Sequence, residues 1–415
     1  SPSFGKSGAA QKAKPVPLSA VPLQEGKRLL TGIDEFDRVL GGGAVKRSAV
    51  LIGGEPGIGK STLLIQAASS MNRQIQKDNK EISSKGRVLY VSGEESASQI
   101  RARAERLNLE VKSIEILCTS RLEDIEEALN AVNPVFVIID SIQTIYSAEA
   151  GIIPGTVNQL KYCSHELISW VKERDSVLFF TAHITKEGSI AGPKSLEHMV
   201  DTVILFERND DDIRFLRANK NRYGSVDELG IFSMSEKGLT PVEDPSSLFI
   251  IRRTGTLPAG VAVVPVFEGS RVFLVEIQAL TVPSKASLSR VYSDNVDNAR
   301  VSRIAAVLEK RLGLCFSDQD IYINVAGGVR LTESAIDVAL ASALYSARTD
   351  IPLSDKTALV GEISLAGEVR PVNRIKQRAK ASAALGFTHV IAPEKESGIT
   401  EVADVKGLIR ILFKK

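Results

Sequence analysis

Cysteine is scarce in this sequence. Cys118, Cys163 and Cys315 are the only three among 415 residues, and they lie far apart with no C-x-x-C pair. This spacing argues against both a zinc ribbon and a disulfide framework, since each depends on regularly spaced cysteines. We therefore expect no zinc in this chain and a reducing location, the cytoplasm.

Long apolar runs and an excess of one charge are also lacking. No stretch approaches the roughly 18 apolar residues of a membrane helix, and the basic residues near the N-terminus have no apolar segment behind them. We expect neither a membrane span nor a signal peptide, and hence no membrane partner. The 52 basic and 50 acidic side chains give a net charge of +2, so any basic patch for nucleic acid must be local.

The composition and the pattern along the chain divide it into three regions. Residues 1–26 are rich in Ser, Pro, Gly, Ala and Lys and are expected to form a flexible arm. Residues 27–243 alternate strand and helix patterns, which predicts an α/β fold with a mainly parallel sheet covered by helices on both faces. Residues 244–415 follow a break in that pattern and predict a second α/β or α+β core.

Apolar periodicity predicts the individual elements of both regions. In the first, strands are expected at 49–52, 87–92, 113–117, 135–140, 177–180, 203–206 and 213–216, with helices near 33–40, from 63, at 96–107 and at 122–132. In the second, we expect a hairpin of 261–266 with 272–277, helices at 299–312, 333–347 and 374–385, and strands at 321–325 and 389–392.

The stretch from Gly54 to Thr62 fits the spacing G-x-x-x-x-G-K-[S/T] between a predicted strand and a predicted helix. Its glycines allow amide groups to converge on phosphate oxygens at the positive end of a helix dipole. Lys60 is expected to contact the β- and γ-phosphates, and Ser61 to bind Mg²⁺. A plain glycine-rich turn would need neither side chain. The predicted nucleotide-binding residues are Gly54, Glu55, Pro56, Gly57, Ile58, Gly59, Lys60, Ser61 and Thr62.

Acidic residues end two of the predicted strands. Asp140 follows four apolar residues and is expected to order Mg²⁺ through water, although a turn aspartate would give the same pattern. Glu94 follows the strand at 87–92 and is the first choice for the base that polarises an attacking water, with Glu95 as the second. Either glutamate could instead complement a helix dipole.

Basic residues follow two further strands. His183 is a candidate sensor of the γ-phosphate, with a purely structural histidine as the alternative. Lys220 and Arg222 are two residues apart in an extended stretch, so their side chains are expected on one face, where both could reach a phosphate across a subunit boundary. A solvated basic turn would have the same spacing.

Together these segments resemble the RadA family of bacterial DNA repair proteins, also called Sms. The resemblance rests on the phosphate loop, on Val-Ser-Gly-Glu-Glu-Ser, on Val-Ile-Ile-Asp-Ser-Ile-Gln-Thr and above all on Lys-Asn-Arg-Tyr-Gly, where the family has Phe in place of Tyr223. It extends from Leu29 to the C-terminus. The family's N-terminal four-cysteine zinc module is missing, so we expect a truncated or divergent member.

The resemblance implies a RecA-like motor domain followed by a domain folded like the proteolytic domain of Lon. It implies a homo-hexameric ring that uses ATP and Mg²⁺, moves on single-stranded DNA and promotes branch migration of branched DNA alongside the RecA recombinase. Lys220 and Arg222 would then act on the neighbouring subunit's nucleotide. The alternative function is a nucleotide-switched DNA clamp without translocation.

The Lon likeness places Lys376 at the catalytic lysine. Ser334 is the nearest serine, but the glycines of Lon's Gly-Pro-Ser-Ala-Gly loop are missing around it. The resemblance to RadA implies that Ala335 corresponds to the Lon serine. Because a Ser-Lys dyad needs an activated serine, we expect no proteolysis.

The family resemblance also suggests where DNA would bind. Two segments, Tyr146–Tyr162 and Lys186–Lys194, are expected to be mobile loops that face the centre of the ring. Both have few aromatic residues, so backbone electrostatics should outweigh base stacking. A possible basic track lies in the second region, with solvated cations flanking a helix as the alternative. The candidate DNA contacts are Lys161, Lys186, Lys194, Lys285, Arg290, Arg300 and Arg303.

Overall fold

The computed structural model describes residues 17, 19, 28–78, 88–112, 114–151, 153, 155–183, 195–208, 213–226, 228–242, 246–251, 253, 257–285 and 289–413. The expected arm at 1–26, apart from residues 17 and 19, lies outside this part of the chain. So do the predicted boundary at 243–244 and the candidate DNA contacts Lys186 and Lys194. None of the helices in the described ranges is long and apolar enough to cross a membrane.

Every strand predicted before residue 217 is present, and the α/β prediction is confirmed. The elements are β1 (Arg28–Leu29), α1 (Asp34–Val39), β2 (Ala44–Val45), β3 (Ser48–Gly54), α2 (Lys60–Asp78), β4 (Val88–Ser92), α3 (Ala97–Arg106), β5 (Ile114–Cys118), α4 (Leu122–Val132), β6 (Phe136–Asp140), α5 (Val157–Lys172), β7 (Val177–His183), α6 (Ser195–Met199), β8 (Thr202–Arg208), β9 (Ile213–Asn221), β10 (Leu229–Ser235) and β11 (Gly238–Pro241).

Nine of these strands form one sheet, in the order β11-β10-β9-β8-β3-β7-β6-β4-β5. The six strands β8, β3, β7, β6, β4 and β5 run parallel to one another. On the other side of β8, the strands β9, β10 and β11 follow, each antiparallel to its neighbour. The central strands β3 and β6 are mostly apolar and almost completely buried, as expected of a parallel sheet between helices. This arrangement brings the carboxyl ends of β3, β4, β6 and β7 to one edge.

A second, seven-stranded sheet is built from the remainder of the chain, in the order β14-β15-β13-β12-β16-β19-β20. The predicted hairpin is present as β12 and β13, paired from Val261 with Gln278 to Glu268 with Arg271. The elements are α7 (Ser246–Phe249), β12 (Val261–Glu268), β13 (Arg271–Pro283), β14 (Val291–Ser293), α8 (Asn298–Leu312), β15 (Gln319–Val325), α9 (Asp337–Thr349), β16 (Thr357–Leu359), β17 (Glu362–Ile363), β18 (Val369–Arg370), α10 (Ile375–Ala384), β19 (His389–Ala392), β20 (Ile399–Glu401) and α11 (Val405–Leu412).

Two predicted segments were wrong in part. The segment at 146–162 is not a loop throughout, because α5 begins at Val157, where the Thr156 hydroxyl accepts a hydrogen bond from the Gln159 amide and caps the helix. The helix predicted at 333–347 begins later, at Asp337, because residues 334–336 form a separate 3-10 turn.

The two sheets share a hydrophobic cluster. Side chains of β9 and β10, including Phe215 and Ile231, belong to the same buried cluster as Val275 and Ile277 of β13. A polar link lies beside it, where Glu35 of α1 is only 5% exposed. Its carboxylate accepts hydrogen bonds from Arg271 at 3.0 Å and from the Ile231 amide at 3.0 Å.

Removal of the Arg271 cation should therefore destabilise the protein. Arg271→Met leaves the buried Glu35 carboxylate with the more distant Arg38, whose Nε atom lies 3.4 Å away. The substitution should lower the free energy of unfolding by about 2 kcal/mol. Glu35→Gln combined with Arg271→Met should recover part of this loss. Urea denaturation followed by circular dichroism measures the effect.

The matched control is Arg47→Met, which breaks an exposed pair with Asp175, whose side chains are 56% and 65% exposed. It should cost less than about 1 kcal/mol. Equal effects of the two arginine substitutions would contradict a stabilising role of the Glu35–Arg271 pair.

Candidate functional site

The phosphate loop joins β3 to α2, as the sequence predicts. Its backbone has positive φ at Gly57 (+75°) and Gly59 (+116°), where a side chain would be strained. Gly54 is required for a different reason, because a Cβ atom there would lie 2.9 Å from the Phe206 carbonyl oxygen of β8. The loop is thus shaped by backbone conformation at two glycines and by close packing at the third.

Lys60 is the first residue of α2, and its ammonium group turns back into the loop. Its Nζ atom donates to the carbonyl oxygens of Gly54 at 2.7 Å and Glu55 at 2.9 Å, and the residue is 6% exposed. Burial lowers the Lys60 pKa to about 8, partly offset by the nearby carboxylates of Asp140 and Glu94. The lysine is therefore held inside the loop as a cation that loses its proton readily.

Asp140 ends β6 with both carboxylate oxygens engaged. The Tyr90 hydroxyl donates to one oxygen at 2.5 Å, and the Thr181 hydroxyl donates to the other at 2.6 Å. Burial and the Asp140 charge raise the Tyr90 pKa well above its usual value, so the phenol remains a donor. The sequence did not indicate a role for Tyr90 or Thr181. Tyr90 lies in a predicted strand and Thr181 directly after one, and an apolar strand pattern does not show that one residue makes a polar contact.

The neighbouring glutamates at the end of β4 have different partners. Glu94 accepts a hydrogen bond from the Ser141 hydroxyl at 2.8 Å, and its side chain is 48% exposed. Glu95 is instead paired with Arg103 of α3. The structure thus favours Glu94 over Glu95 as the free carboxylate of the cleft.

His183 ends β7 between these groups. Its Nδ1 atom lies 3.4 Å from Lys60 Nζ, and its Nε2 atom lies 3.8 Å from a Glu94 carboxylate oxygen. Its amide donates to the Gln143 side chain at 3.0 Å. The imidazole is therefore placed to report changes around Lys60 and Glu94, which is compatible with the sensor prediction; that prediction stays a prediction.

One cleft of about 310 Å³ brings most of the predicted site together. It contains the basic, hydroxyl and acidic groups that the sequence assigns to phosphate and Mg²⁺ chemistry, and Arg103 is an addition that the sequence did not indicate. Its lining residues are Pro56, Gly57, Gly59, Lys60, Ser61, Thr62, Ser92, Glu94, Glu95, Arg103, Asp140 and His183.

Lys220 is absent from the residues that line this cleft. A register irregularity between β8 and β9 leaves Lys220 opposite Val203 while Ala218 lies opposite Ile204. The Lys220 ammonium donates to the carbonyl oxygens that end α6. Burial and then the Arg222 charge lower its pKa. Within its own chain, Lys220 therefore caps a short helix.

Arg222 is likewise absent from the cleft lining and contacts Asp201, just before β8. The guanidinium donates to the Asp201 carboxylate at 3.1 Å, and Lys172 donates to the same carboxylate at 2.7 Å. The Asp201 side chain is 1% exposed, whereas that of Arg222 is 53% exposed. Part of the arginine thus remains accessible from outside the subunit.

The candidate DNA contacts occupy different surroundings. Lys161 is exposed on α5, and Lys285 and Arg290 are exposed around β14. Arg300 is not a solvent-facing cation: its side chain is 18% exposed and pairs at 2.9 Å with the buried Asp337. Arg303 lies 3.9 Å from the same carboxylate and is 44% exposed. The expected basic track therefore does not include Arg300 as a free cation, because its charge is paired with Asp337 inside the fold.

The Ser-Lys pair does not have the environment of a protease dyad. Lys376 is exposed and pairs with Glu396 at 2.9 Å. The hydrogen bond and charge of Glu396 raise the Lys376 pKa, whereas a lysine that activates a serine must lose its proton near neutral pH. The geometry around Lys376 agrees with the expectation of no proteolysis.

The low pKa of Lys60 predicts proton uptake on nucleotide binding. The negative phosphates should raise this pKa, so at about pH 8.5 the complex should hold more protons than the free protein, and affinity should fall as the pH rises through about 8. Calorimetric titrations of an adenine nucleotide in buffers of different ionisation enthalpy measure the uptake. Lys60→Arg, whose guanidinium stays charged, should bind without it; equal uptake in both proteins would contradict the assignment.

Comparison with known protein families gives two matches along the chain. The model of the AAA domain family matches residues 14–189, and the model of the ChlI subunit of Mg-chelatase matches residues 276–396. Among solved structures, a KaiC-like protein from Pyrococcus horikoshii is similar, with a TM-score of 0.43 and 19% identity over 52% of this chain and 99% of its own.

Curated relatives are similar over almost the whole sequence. The DNA repair protein RadA of Treponema pallidum is 62% identical over 396 residues, or 94% of this chain and 84% of the relative. The RadA protein of Bacillus subtilis is 46% identical over 381 residues, or 92% of this chain and 81% of the relative. Together with the AAA match, these relatives identify an ATP hydrolase and confirm the resemblance drawn from the motifs. The chain belongs to the RadA family of DNA repair proteins.

Proposed function

We propose that this ATP hydrolase is a DNA-dependent motor of recombinational repair, which translocates on single-stranded DNA and promotes branch migration of recombination intermediates. The observation that supports it best is the convergence of Lys60, Ser61, Glu94 and Asp140 in one cleft. These groups provide what phosphoryl transfer to water requires: a cation for the phosphates, oxygen ligands for a metal and a carboxylate base.

In the proposed reaction, water attacks the γ-phosphorus of ATP and the bond to the β–γ bridging oxygen breaks, which yields ADP and phosphate. Glu94 accepts the proton of the water, and its hydrogen bond from Ser141 fixes the carboxylate. Lys60 stabilises negative charge on the phosphates from inside the loop. His183, close to both, would sense whether the γ-phosphate is present.

Mg²⁺ fits the residues of the cleft. The Ser61 hydroxyl and the Asp140 carboxylate are hard oxygen donors of the kind that this ion prefers, and both line the cleft. Tyr90 and Thr181 orient the Asp140 carboxylate toward its role. When bound, the ion would neutralise charge on the transferring phosphoryl group. No zinc site is proposed for this chain.

The proposed assembly is a homo-hexameric ring in which Lys220 and Arg222 complete the neighbour's site. Its support is the family signature together with the partial exposure of Arg222, which leaves a cation near the subunit surface. RecA is the proposed protein partner.

The proposed division of the chain is a RecA-like domain at 27–243 and a Lon-like domain at 244–415, after an arm at 1–26.

Single-stranded and branched DNA are the proposed nucleic acid partners. Lys161, Lys186, Lys194, Lys285, Arg290 and Arg303 remain candidate contacts, and Arg300 is a weaker one because of its internal ion pair. Contacts of this type bind phosphates and not bases, so binding should weaken steeply with salt.

ATPase assays with and without single-stranded DNA, at two salt concentrations, test the motor. DNA should stimulate phosphate release, and the stimulation should fall at high salt. Lys60→Ala should reduce the rate by about a hundredfold or more, while Lys237→Ala, which removes an exposed lysine in the turn between β10 and β11, should have no effect. A Lys60→Ala protein with wild-type activity would contradict the proposed site.

Mixing two inactive variants tests the shared site. Arg222→Ala and Lys60→Ala should each be inactive alone. In a mixture, an Arg222→Ala subunit supplies an intact loop and its Lys60→Ala neighbour supplies the arginine, so part of the activity should return. If activity does not recover in rings shown to be mixed by co-purification of differently tagged subunits, Arg222 does not act on the neighbouring subunit's nucleotide.

Strand displacement on forked DNA separates the motor from the alternative function, a nucleotide-switched clamp. A motor should displace a strand in the presence of ATP. A clamp should protect the fork without unwinding it, and that result would contradict translocation.

A further inference from the structure

Two adjacent carboxylates stand at the end of β4, but the proposed reaction needs only one. Glu94 and Glu95 carry the same side chain, and both line the cleft. Near the negative phosphates of a nucleotide, a second free carboxylate would repel the substrate and compete for the attacking water. The surroundings of Glu94 and Glu95 must therefore differ, so that only one of them acts on the attacking water.

Glu95 is held at its amide by β4 and at its carboxylate by α3. Its amide donates to the Ser92 hydroxyl at 2.9 Å, and its carboxylate pairs with Arg103, which lies eight residues later on the helix. The side chains of Glu95 and Arg103 are 31% and 17% exposed. Because a capping box of Ser96 and Gln99 starts the helix directly after Glu95, the distance along the helix between the two partners is fixed.

The surroundings of Glu94 are the opposite. Within the described ranges, its carboxylate accepts one hydrogen bond, from the Ser141 hydroxyl at 2.8 Å. It faces His183 Nε2 at 3.8 Å, and its side chain is 48% exposed. Its charge acts on Lys60 across the cleft. Glu94 is therefore the carboxylate that remains available to water beside the phosphate loop.

We propose that Arg103 is a positioning residue that reserves the base role for Glu94 by holding Glu95 out of the reaction. This inference rests on the proposed function of Glu94. In this role Arg103 acts through Glu95, which it neutralises and immobilises.

The contact details predict that Glu95 disturbs the reaction once Arg103 is removed. The Glu95 Oε2 and Arg103 Nη1 atoms are buried and make no hydrogen bond within the described structure, so the pair depends on the single bond between the other two atoms. Removal of Arg103 leaves the partly buried Glu95 carboxylate unpaired next to Glu94. Removal of both charges leaves no unpaired charge in the cleft at this position. The damage caused by losing Arg103 should thus depend on Glu95.

Steady-state ATPase kinetics with a set of variants test this dependence. Arg103→Met should lower kcat by about tenfold through misplacement of the reacting groups, with KM for ATP changed less than twofold. Arg103→Lys, which keeps a cation, should recover most of the rate. The double variant Arg103→Met with Glu95→Gln should return to within about threefold of wild type, because the unpaired carboxylate is gone.

The matched control is Arg101→Met, on the same helix, which breaks an exposed pair with Glu105 whose side chains are 60% and 63% exposed. It removes the same charge and should leave kcat unchanged. Binding of a fluorescent ADP analogue and thermal midpoints show that each variant is folded. If Arg103→Met is not folded, the comparison of Glu95→Gln with Glu94→Gln decides the question.

The outcomes separate this inference from the proposed function. Glu94→Gln should abolish hydrolysis and Glu95→Gln should change kcat less than threefold. Loss of activity in Glu95→Gln equal to that in Glu94→Gln overturns the positioning role, as does an Arg103→Met defect that Glu95→Gln does not relieve. An active Glu94→Gln would instead contradict the proposed base.

Discussion

The site depends on one constraint, the burial of the Lys60 ammonium group under the carbonyl oxygens that end β3. The carboxylates of Asp140, Glu94 and Glu55 favour the charged form of this buried group and partly offset the effect of burial on its pKa. Parallel pairing of β3, β7, β6 and β4 places their carboxyl ends at the same edge. The strand order of the sheet therefore determines the site, because residues that are far apart in sequence lie together at the edge where their parallel strands end.

Much of this could be predicted from the sequence, because a buried parallel strand is an uninterrupted apolar run and its last residue is easily recognised. Asp140, Glu94 and His183 were identified in this way, and the structure brings them together with Lys60. Tyr90 and Thr181 were not, because their role comes from the lateral neighbour in the sheet, and strand order is not visible in a linear pattern. The start of α5 at Val157 is not visible in the apolar pattern, because it depends on the Thr156 hydroxyl, which caps the helix.

The partners of the basic residues could not be predicted from the sequence either. Arg300, Arg303, Lys220 and Arg222 look alike in the sequence as exposed basic residues. In the structure, two of them approach the buried Asp337, one caps α6, and one shares Asp201 with Lys172. A buried carboxylate must have a positive partner, and only the fold decides which cation is recruited.

The hydrophobic cluster shared by the two sheets has a consequence for how the chain can be divided. Phe215 and Ile231 belong to strands of the first sheet, yet they pack with Val275 and Ile277 of the second. A fragment that stops near residue 243 would present this apolar surface of β9 and β10 to water, and Glu35 would lose its contact with Arg271. The boundary that is clearest in the sequence is thus a poor place to cut, and the two halves are expected to lose their structure cooperatively.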